Sequence, residues 1–296
     1  MITYNHERYI AQSIQGVLMQ KTNFDFELII GEDCSTDRTR EICNDYKDKY
    51  PDKISILLGE KNIGMMPNFI RTLNACSGKY VALCEGDDYW TDPYKLQKQV
   101  DFLENNPEDS LSSHLVDILN EETKEVSQFG KDYIIDGKNR EITINDFLDP
   151  FLIITCSLVF RRRYYNSEKK LTSHFKDIAL FADLLSKGRG VLLSDSMAVY
   201  RQHEGGIWSN TSSLIKCKAN AYTLIEMNKN FNYKISHIKT NASLQITDYL
   251  NLLIAERERN VPEKIRIFVI LLLHYRQDLG NKKLFKLLKR ILKSIL

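Results

Sequence analysis

The chain of 296 residues lacks most of the features that would class it at a glance. Its six cysteines (Cys34, Cys43, Cys76, Cys84, Cys156, Cys217) include no C-x-x-C pair. That argues against a zinc ribbon and against the disulfide framework of a secreted protein, and it fits a reducing cytosol. No long hydrophobic run is present. The most apolar stretch, Ile265–Leu273, is too short to cross a bilayer and contains Arg266. No secretory leader is expected, because Met1-Ile2 leads into the polar Thr-Tyr-Asn-His. No charge of one sign dominates: the formal net charge is +2, so composition points to no nucleic acid partner. Internal repeats and low-complexity tracts are absent as well.

What is there is an alternation over the first hundred residues. Helix-like patterns at His6–Gln20, Asp37–Tyr50, Pro67–Cys76 and Pro93–Asn105 are interleaved with short apolar runs at Glu27–Ile30, Ile54–Leu58 and Tyr80–Cys84. Such runs, bounded by Gly, Asp or Asn, predict strands buried on both faces of a mostly parallel α/β sheet. From Leu111 to Arg163 the alternation gives way to strands, a polar hairpin near Asp136-Gly137 and a short helix near Asn145–Leu148. A helix over 174–187 and strands over 190–194 and 197–201 follow. From about Ser212 the pattern is almost wholly helical, which sets a boundary there.

Two acidic clusters follow strand-like runs: Glu32-Asp33 after "ELII", and Glu85, Asp87 and Asp88 after "YVALC". In an open α/β sheet, ligands bind beyond the carboxyl ends of strands. Clustered carboxylates repel one another unless a cation or hydrogen-bond donors compensate them. Mg²⁺ or Mn²⁺ suits a site of few carboxylates completed by substrate phosphates. Helix capping is the plainer explanation for Asp92 before Pro93, and Asp37 favours the first turn of its own helix. Capping does not account for Glu85, Asp87 and Asp88, which stand several residues before the next helix.

Four segments carry a resemblance: "TYNHERYIAQSIQGVLMQ", "ELIIGEDCSTDRT", "NIGMMPNFIRTLNACSGKYVALCEGDDYW" and "VYRQHEGGIWS". Together and in this order, from Thr3 to about Ser209, the chain resembles a family 2 glycosyltransferase of the GT-A fold, inverting and of the bacterial polysaccharide type. The resemblance implies a glycosyltransferase domain over 1–211. Its nucleotide-binding half would cover about 1–110 and its acceptor half about 111–211, with 212–296 as a helical extension. It implies a nucleotide-sugar donor, UDP-linked by expectation, and a glycan or polyprenyl-linked acceptor. Tyr4 would lie against the base, Asp33 would accept a hydrogen bond from it, and Glu32 would neighbour Asp33. Asn62 and Gly64 match the "N-x-G" element lining the donor pocket. Asp87 would approach ribose and metal, Asp88 would be the direct ligand of Mn²⁺ or Mg²⁺, and Glu85 would sit in the outer shell.

Inverting transfer needs a carboxylate to take the acceptor hydroxyl's proton. In the family that base opens a helix after an S-x-x-F-R strand. "TCSLVFRRR" supplies the strand here, and Asp177 in "SHFKDIALFADLLSKG" matches the base, with Lys176 where the family usually has glycine. Asp183 is the competitor. Six residues on, it would point well away from Asp177 on a helix, so both cannot serve. The family's Y-R-x-H motif falls on Arg201 and His203, implying that Arg201 steadies the diphosphate and His203 adds a metal ligand. Trp208 would cover the sugar. His6, His114 and His174 carry no such expectation. Thr155 and Ser157 would line the acceptor cleft.

The chain departs from the family in two places. It begins in the middle of the first strand, which would remove buried hydrogen bonds and part of the base pocket. Cys34 stands where glycine is frequent, so the turn after Asp33 is expected to avoid a left-handed conformation. At the other end, "KKLFKLLKRILKSIL" over 282–296 places Leu284, Leu288, Ile291 and Ile295 on one stripe against lysines. That suits either an anionic membrane surface or packing with the basic face outward. The resulting expectation is a cytoplasmic protein, attached peripherally at the inner membrane. The alternatives are a non-catalytic nucleotide-sugar-binding module and a sugar nucleotidylyltransferase. The latter would need a Gly- and basic-rich N-terminal loop, which the residues after Ile2 do not supply.

Overall fold

The computed structural model describes residues 1–148, 152–166, 176–206, 211–232, 234–255 and 260–295. It divides into two compact units, the first formed by 1–144, 150–170 and 180–203 and the second by 145–149, 171–179 and 204–296.

The first unit opens with the expected parallel sheet. Strands β1 (Ile2–Thr3), β2 (Leu28–Glu32) and β3 (Ile54–Leu58) lie in that order, each followed by a helix: α1 (Ile10–Leu18), α2 (Thr39–Lys49) and α3 (Met65–Ala75). Parallel register pairs Ile2 with Gly31 and Leu28 with Ile54. Every residue of β2 is buried, which explains its unbroken apolar reading. Short as it is, β1 is bonded on both edges. The Met1 amino group donates to Ile29 O at 2.8 Å, Met1 O accepts from Gly31 N, and Ile2 O accepts from Gly86 N at 2.9 Å.

The second sheet is mixed and larger. Its path is β4 (Tyr80–Ala82), β9 (Val159–Arg161), β6 (Asp109–Asn120), β10 (Arg189–Gln202) and β5 (Tyr89–Trp90); β7 (Val126–Phe129) joins β6 and β8 (Arg140–Ile142) joins β10. Helix α4 (Lys95–Asn105) follows β5, and α5 (Lys176–Leu185) precedes β10. Two readings need correction. The runs at 190–194 and 197–201 are one strand, because register shifts around Ser196 absorb the polar Ser-Asp-Ser as a bulge. Asp136 and Gly137 do turn, both with positive φ, but no hairpin results. β8 pairs with β10, and β7 pairs instead with β6.

A lysine lies in this core. Lys95 is fully buried, donates to Gln99 Oε1 at 2.7 Å and sits 4.1 Å from the centre of the Trp90 ring. Gln99 in turn donates to the backbone oxygens of Ser112 and Ser157, tying α4 to the sheet. Burial pushes the Lys95 pKa down to about 7, against a weaker pull upward from Cys84 and Cys156.

The second unit is helical: α6 (Ser213–Asn230), α7 (Ser236–Ala255), α8 (Val261–His274), α9 (Arg276–Leu279) and α10 (Asn281–Ile295). Ser212 caps α6 through Ile215 N, and Asn260 caps α8 through Glu263 N, with proline in the first turn. Leu224, Ile238, Ile246, Leu250, Ile267 and Leu271 are buried. Leu284 and Ile291, expected on a stripe that faces either a membrane or a packed neighbour, are buried, together with Leu287. The Ile295 side chain lies outside the described residues. Among the described residues, no helix is long and apolar enough to cross a membrane.

The buried lysine gives a pH signature. Its folded pKa is depressed, so between about pH 7 and the ordinary lysine range the unfolded chain binds the extra proton and stability rises with pH. Lys95→Met should therefore be more stable than the wild type at pH 7, by about 2 kcal/mol. In thermal melts the gap should narrow toward pH 10; a gap that does not change with pH would contradict the assignment.

Candidate functional site

The loops after β1 and β2 are stitched together by side chains. Asn5 N donates to Ser35 Oγ, Thr36 N to Asn5 Oδ1, His6 N to Thr39 Oγ1 and Glu7 N to Asp37 Oδ2. Glu32, expected at the donor, faces inward instead. It is fully buried, paired with Arg40 at 2.5 Å and accepting from Ser35 N at 2.6 Å. Its carboxylate shapes the turn. Within that turn Cys34 has φ 61°, the left-handed conformation that its side chain was expected to avoid. The Glu32–Ser35 hydrogen bond closes the turn around it.

Asp33 is buried at the end of β2. Its two oxygens accept from Ile63 N and Gly64 N, each at 2.9 Å. Asn62 Oδ1 also accepts from Gly64 N. Gly64 holds φ 87° at the N-terminus of α3, which explains a glycine there. The structure thus brings Asp33, Asn62 and Gly64 together, as one loop clasped by one carboxylate. Tyr4 follows β1 and is 41% exposed.

On the other edge of β1 stands the acidic corner. Gly86 packs so closely that a Cβ would lie 2.6 Å from Thr3 Oγ1 and 2.9 Å from His6 Nδ1. That close approach sets Asp87 against two imidazoles: His203 Nε2 lies 3.2 Å and His6 Nε2 3.7 Å from its Oδ2. Burial opposes ionisation of Asp87, but the His203 hydrogen bond and the nearby His6 ring outweigh it, and the pKa falls below the usual carboxylate value. Asp88 is the reverse case. It is fully buried, with Oδ1 accepting from Arg201 N at 2.9 Å and Oδ2 left without a partner. Burial first, then the charges of Asp87 and Glu85, push its pKa well above the ordinary value. Ligand oxygens of Glu85, Asp87 and Asp88 all lie within 4.8 Å of one another.

Arg201, expected at the diphosphate, is committed inside the protein. Its guanidinium donates to Glu121 Oε1 at 2.8 Å, to Asp87 O at 2.6 Å and to Gln12 Oε1, and it stacks over Tyr9 and Tyr89. It is 5% exposed, so its charge braces the corner from within. His203 also packs on Tyr9, with ring centres 4.6 Å apart.

An orphaned, buried carboxylate oxygen among two more carboxylates is unfavourable by itself, since each buried unmatched acceptor costs about 1–3 kcal/mol. A hard divalent cation fits that donor set: Asp88 and Asp87 would hold it, with Glu85 beside them. His203, expected as a further metal ligand, lies 3.2 Å from Asp87 Oδ2 and does not join the cluster of ligand atoms formed by Glu85, Asp87 and Asp88.

Asp177 stands in the first turn of α5, half-buried, with Oδ1 accepting from Ile178 N. Its competitor Asp183 is buried and paired with Lys187, just past the end of the helix, at 2.6 Å. Ser157 is buried against Ser113 and Ile154 O, so it lines no cleft. Trp208 lies outside the described residues.

The acidic corner and the R-x-H strand end thus belong to the mixed sheet, and the clasped N-x-G loop to the parallel one. The model of glycosyl transferase family 2 matches residues 1–167. The chain belongs to that family. An uncharacterised protein of Mycobacterium tuberculosis is 38% identical over 207 residues, covering 70% of this chain and 59% of the relative. This chain therefore spans less than two thirds of that relative's length. The putative teichuronic acid biosynthesis glycosyltransferase TuaG of Bacillus subtilis is 37% identical over 101 residues, 34% of this chain and 39% of TuaG. Among solved structures, TarS 1-349 of S. aureus in complex with UDP-GlcNAc has a TM-score of 0.61 at 17% identity, covering 100% of this chain and 80% of TarS 1-349. The mannosyltransferase PcManGT from Pyrobaculum calidifontis, in complex with GDP-Man and Mn²⁺, has a TM-score of 0.54 at 12% identity, covering 99% of this chain and 85% of its own. These structural likenesses carry the GT-A fold.

Sequence reasoning about this family 2 chain missed His6, Gln12 and Glu121. His6 was the findable one, since Thr3 and His6 flank the end of β1 beside the acid triplet. Asp88→Asn should raise the melting temperature of metal-free protein and abolish Mn²⁺ binding by calorimetry. His6→Ala should weaken Mn²⁺ binding roughly tenfold without abolishing it. Unchanged Mn²⁺ heats in Asp88→Asn would remove the metal role from this corner.

Proposed function

We propose that this chain is an inverting, metal-dependent glycosyltransferase that moves a sugar from a UDP-sugar to a hydroxyl of a glycan or lipid-linked saccharide. The observation that carries the reading is the unmatched Oδ2 of Asp88 among three carboxylates, in a chain of glycosyl transferase family 2. UDP is favoured because the TarS structures hold UDP-GlcNAc and UDP, whereas PcManGT holds GDP-Man. A bound Mn²⁺ or Mg²⁺ would offset the charge growing on the departing diphosphate.

The chain's own groups divide the remaining work. Tyr4, exposed after β1, stacks on the base; Asp33 accepts from the base N–H with lone pairs not used by Ile63 and Gly64. Asn62 and Gly64 form the wall beside it. Asp87, oriented by His203 and His6, faces ribose and cation. Arg201 keeps Asp87 and Asp88 in place through backbone and side-chain bonds rather than touching the donor. Asp177 takes the acceptor proton at its carboxylate; the pairing of Asp183 with Lys187 favours Asp177 for that role. In this reading residues 1–110 bind the nucleotide, 111–211 receive the acceptor, and 212–296 form an appendage.

A thermal-shift screen of UDP-, GDP- and dTDP-sugars with Mn²⁺ tests the donor. A true donor at about 100 times its Kd should add about 2.7 kcal/mol of stability, and only with metal present. Asp177→Asn should keep that shift and lose at least about a hundredfold in transfer rate. Full transfer by that variant would move the base elsewhere.

A further inference from the structure

We propose that the outward faces of α8 and α10 form a docking surface for an anionic lipid bilayer. The sequence of α10, with the helix period applied, makes three stripes. Leu284, Leu287 and Ile291 turn inward and are buried. Lys282, Lys283, Lys286, Lys289, Arg290 and Lys293 are all exposed, and no acid stands on this helix. Between them runs a second apolar stripe, Phe285, Leu288 and Leu292, which is open to solvent, Phe285 at 58%.

Helix α8 repeats the pattern. Ile267 and Leu271 are inside, while Ile265, Val269, Leu272 and Leu273 are exposed, Leu273 at 70%. The two helices touch, with Lys264 Nζ donating to Ser294 Oγ at 3.2 Å. Single exposed apolar residues are ordinary, but two such stripes on touching helices are an interaction feature. The charge decides the occupant. Cores of protein interfaces are depleted in lysine. A lipid surface takes phenylalanine and leucine below the headgroups while lysine stems reach up to the phosphates. Cation and apolar surface are side by side on this face, the Lys289 ammonium lying 4.6 Å from the centre of the Phe285 ring. Among the described residues, the acids of α8 and α9 are engaged: Glu263 accepts from the Tyr222 and Tyr249 hydroxyls, and Asp278 pairs with Lys239.

The full chain is mixed with vesicles of phosphatidylglycerol and phosphatidylcholine, and separately with vesicles of phosphatidylcholine alone, then sedimented. Binding should favour the anionic vesicles and weaken as salt rises. Phe285→Ser with Leu292→Ser, both solvent-exposed positions, should keep the helical circular dichroism and lower partitioning about tenfold or more. Lys282→Glu with Lys286→Glu and Lys289→Glu should lower it about a hundredfold. Equal binding by all three proteins, or no binding to either vesicle, overturns the proposal. So does a dimer in analytical ultracentrifugation that the serine variant dissolves, which would make this face an interface between copies. Vesicle binding is read without donor or acceptor, so it can fail while sugar transfer stands, and the reverse.

Discussion

The structure of the first unit turns on mutual repulsion among Glu85, Asp87 and Asp88, held together in spite of it. Carboxylate oxygens from three residues within 4.8 Å, beside the buried and unmatched Oδ2 of Asp88, are an unfavourable arrangement in a half-buried corner. Neighbouring groups register the field. The thiols of Cys84 and Cys156 and the phenol of Tyr200 are all pushed up, by burial first and then by these carboxylates. A chain that keeps such a corner closed has to brace it from behind, and much of the surrounding architecture does so.

The brace is Arg201. As the strand β10 ends, its backbone N–H meets Asp88 and its guanidinium meets Asp87 O, Glu121 and Gln12, between the rings of Tyr9 and Tyr89. It thereby joins α1, the segment after β4 and the β6–β7 turn at one point. Its cation lies near the acids, yet Oδ2 of Asp88 stays open. On the far side of β1, Glu32 and Arg40 do the equivalent for the loop after β2, leaving Asp33 to clasp residues 63 and 64. Each side of β1 is thus built from one ion pair turned inward and one buried carboxylate that accepts from backbone N–H.

Much of this was legible in the residues. The strand–helix alternation and the N-x-G element mark local needs, a parallel sheet and a positive φ, although of the predicted strands only β2 is buried along its whole length and β3 is largely open. The acid triplet marks a cluster of carboxylates. Harder to read were the partners supplied by distant elements. Arg201 and Glu32 look like ligand-facing charges in a motif, and only the fold reveals Gln12, Glu121 and Arg40 opposite them. The left-handed Cys34 shows tertiary bonding overriding a backbone preference. The single long strand β10 shows a bulge accommodating a polar interruption that the pattern reads as a break. In α10, periodicity identified an apolar stripe but not which apolar residues would be covered, because that depends on where α7 and α8 lie against it.

The most direct measurement is anomalous diffraction at the manganese edge from crystals grown with Mn²⁺ and UDP. The account requires a peak within coordination distance of Asp88 Oδ2, at about 2.0–2.3 Å, with diphosphate oxygens on its open side. Clear density for UDP with no anomalous peak near Asp88, or a side-chain cation seated against that oxygen, would contradict it.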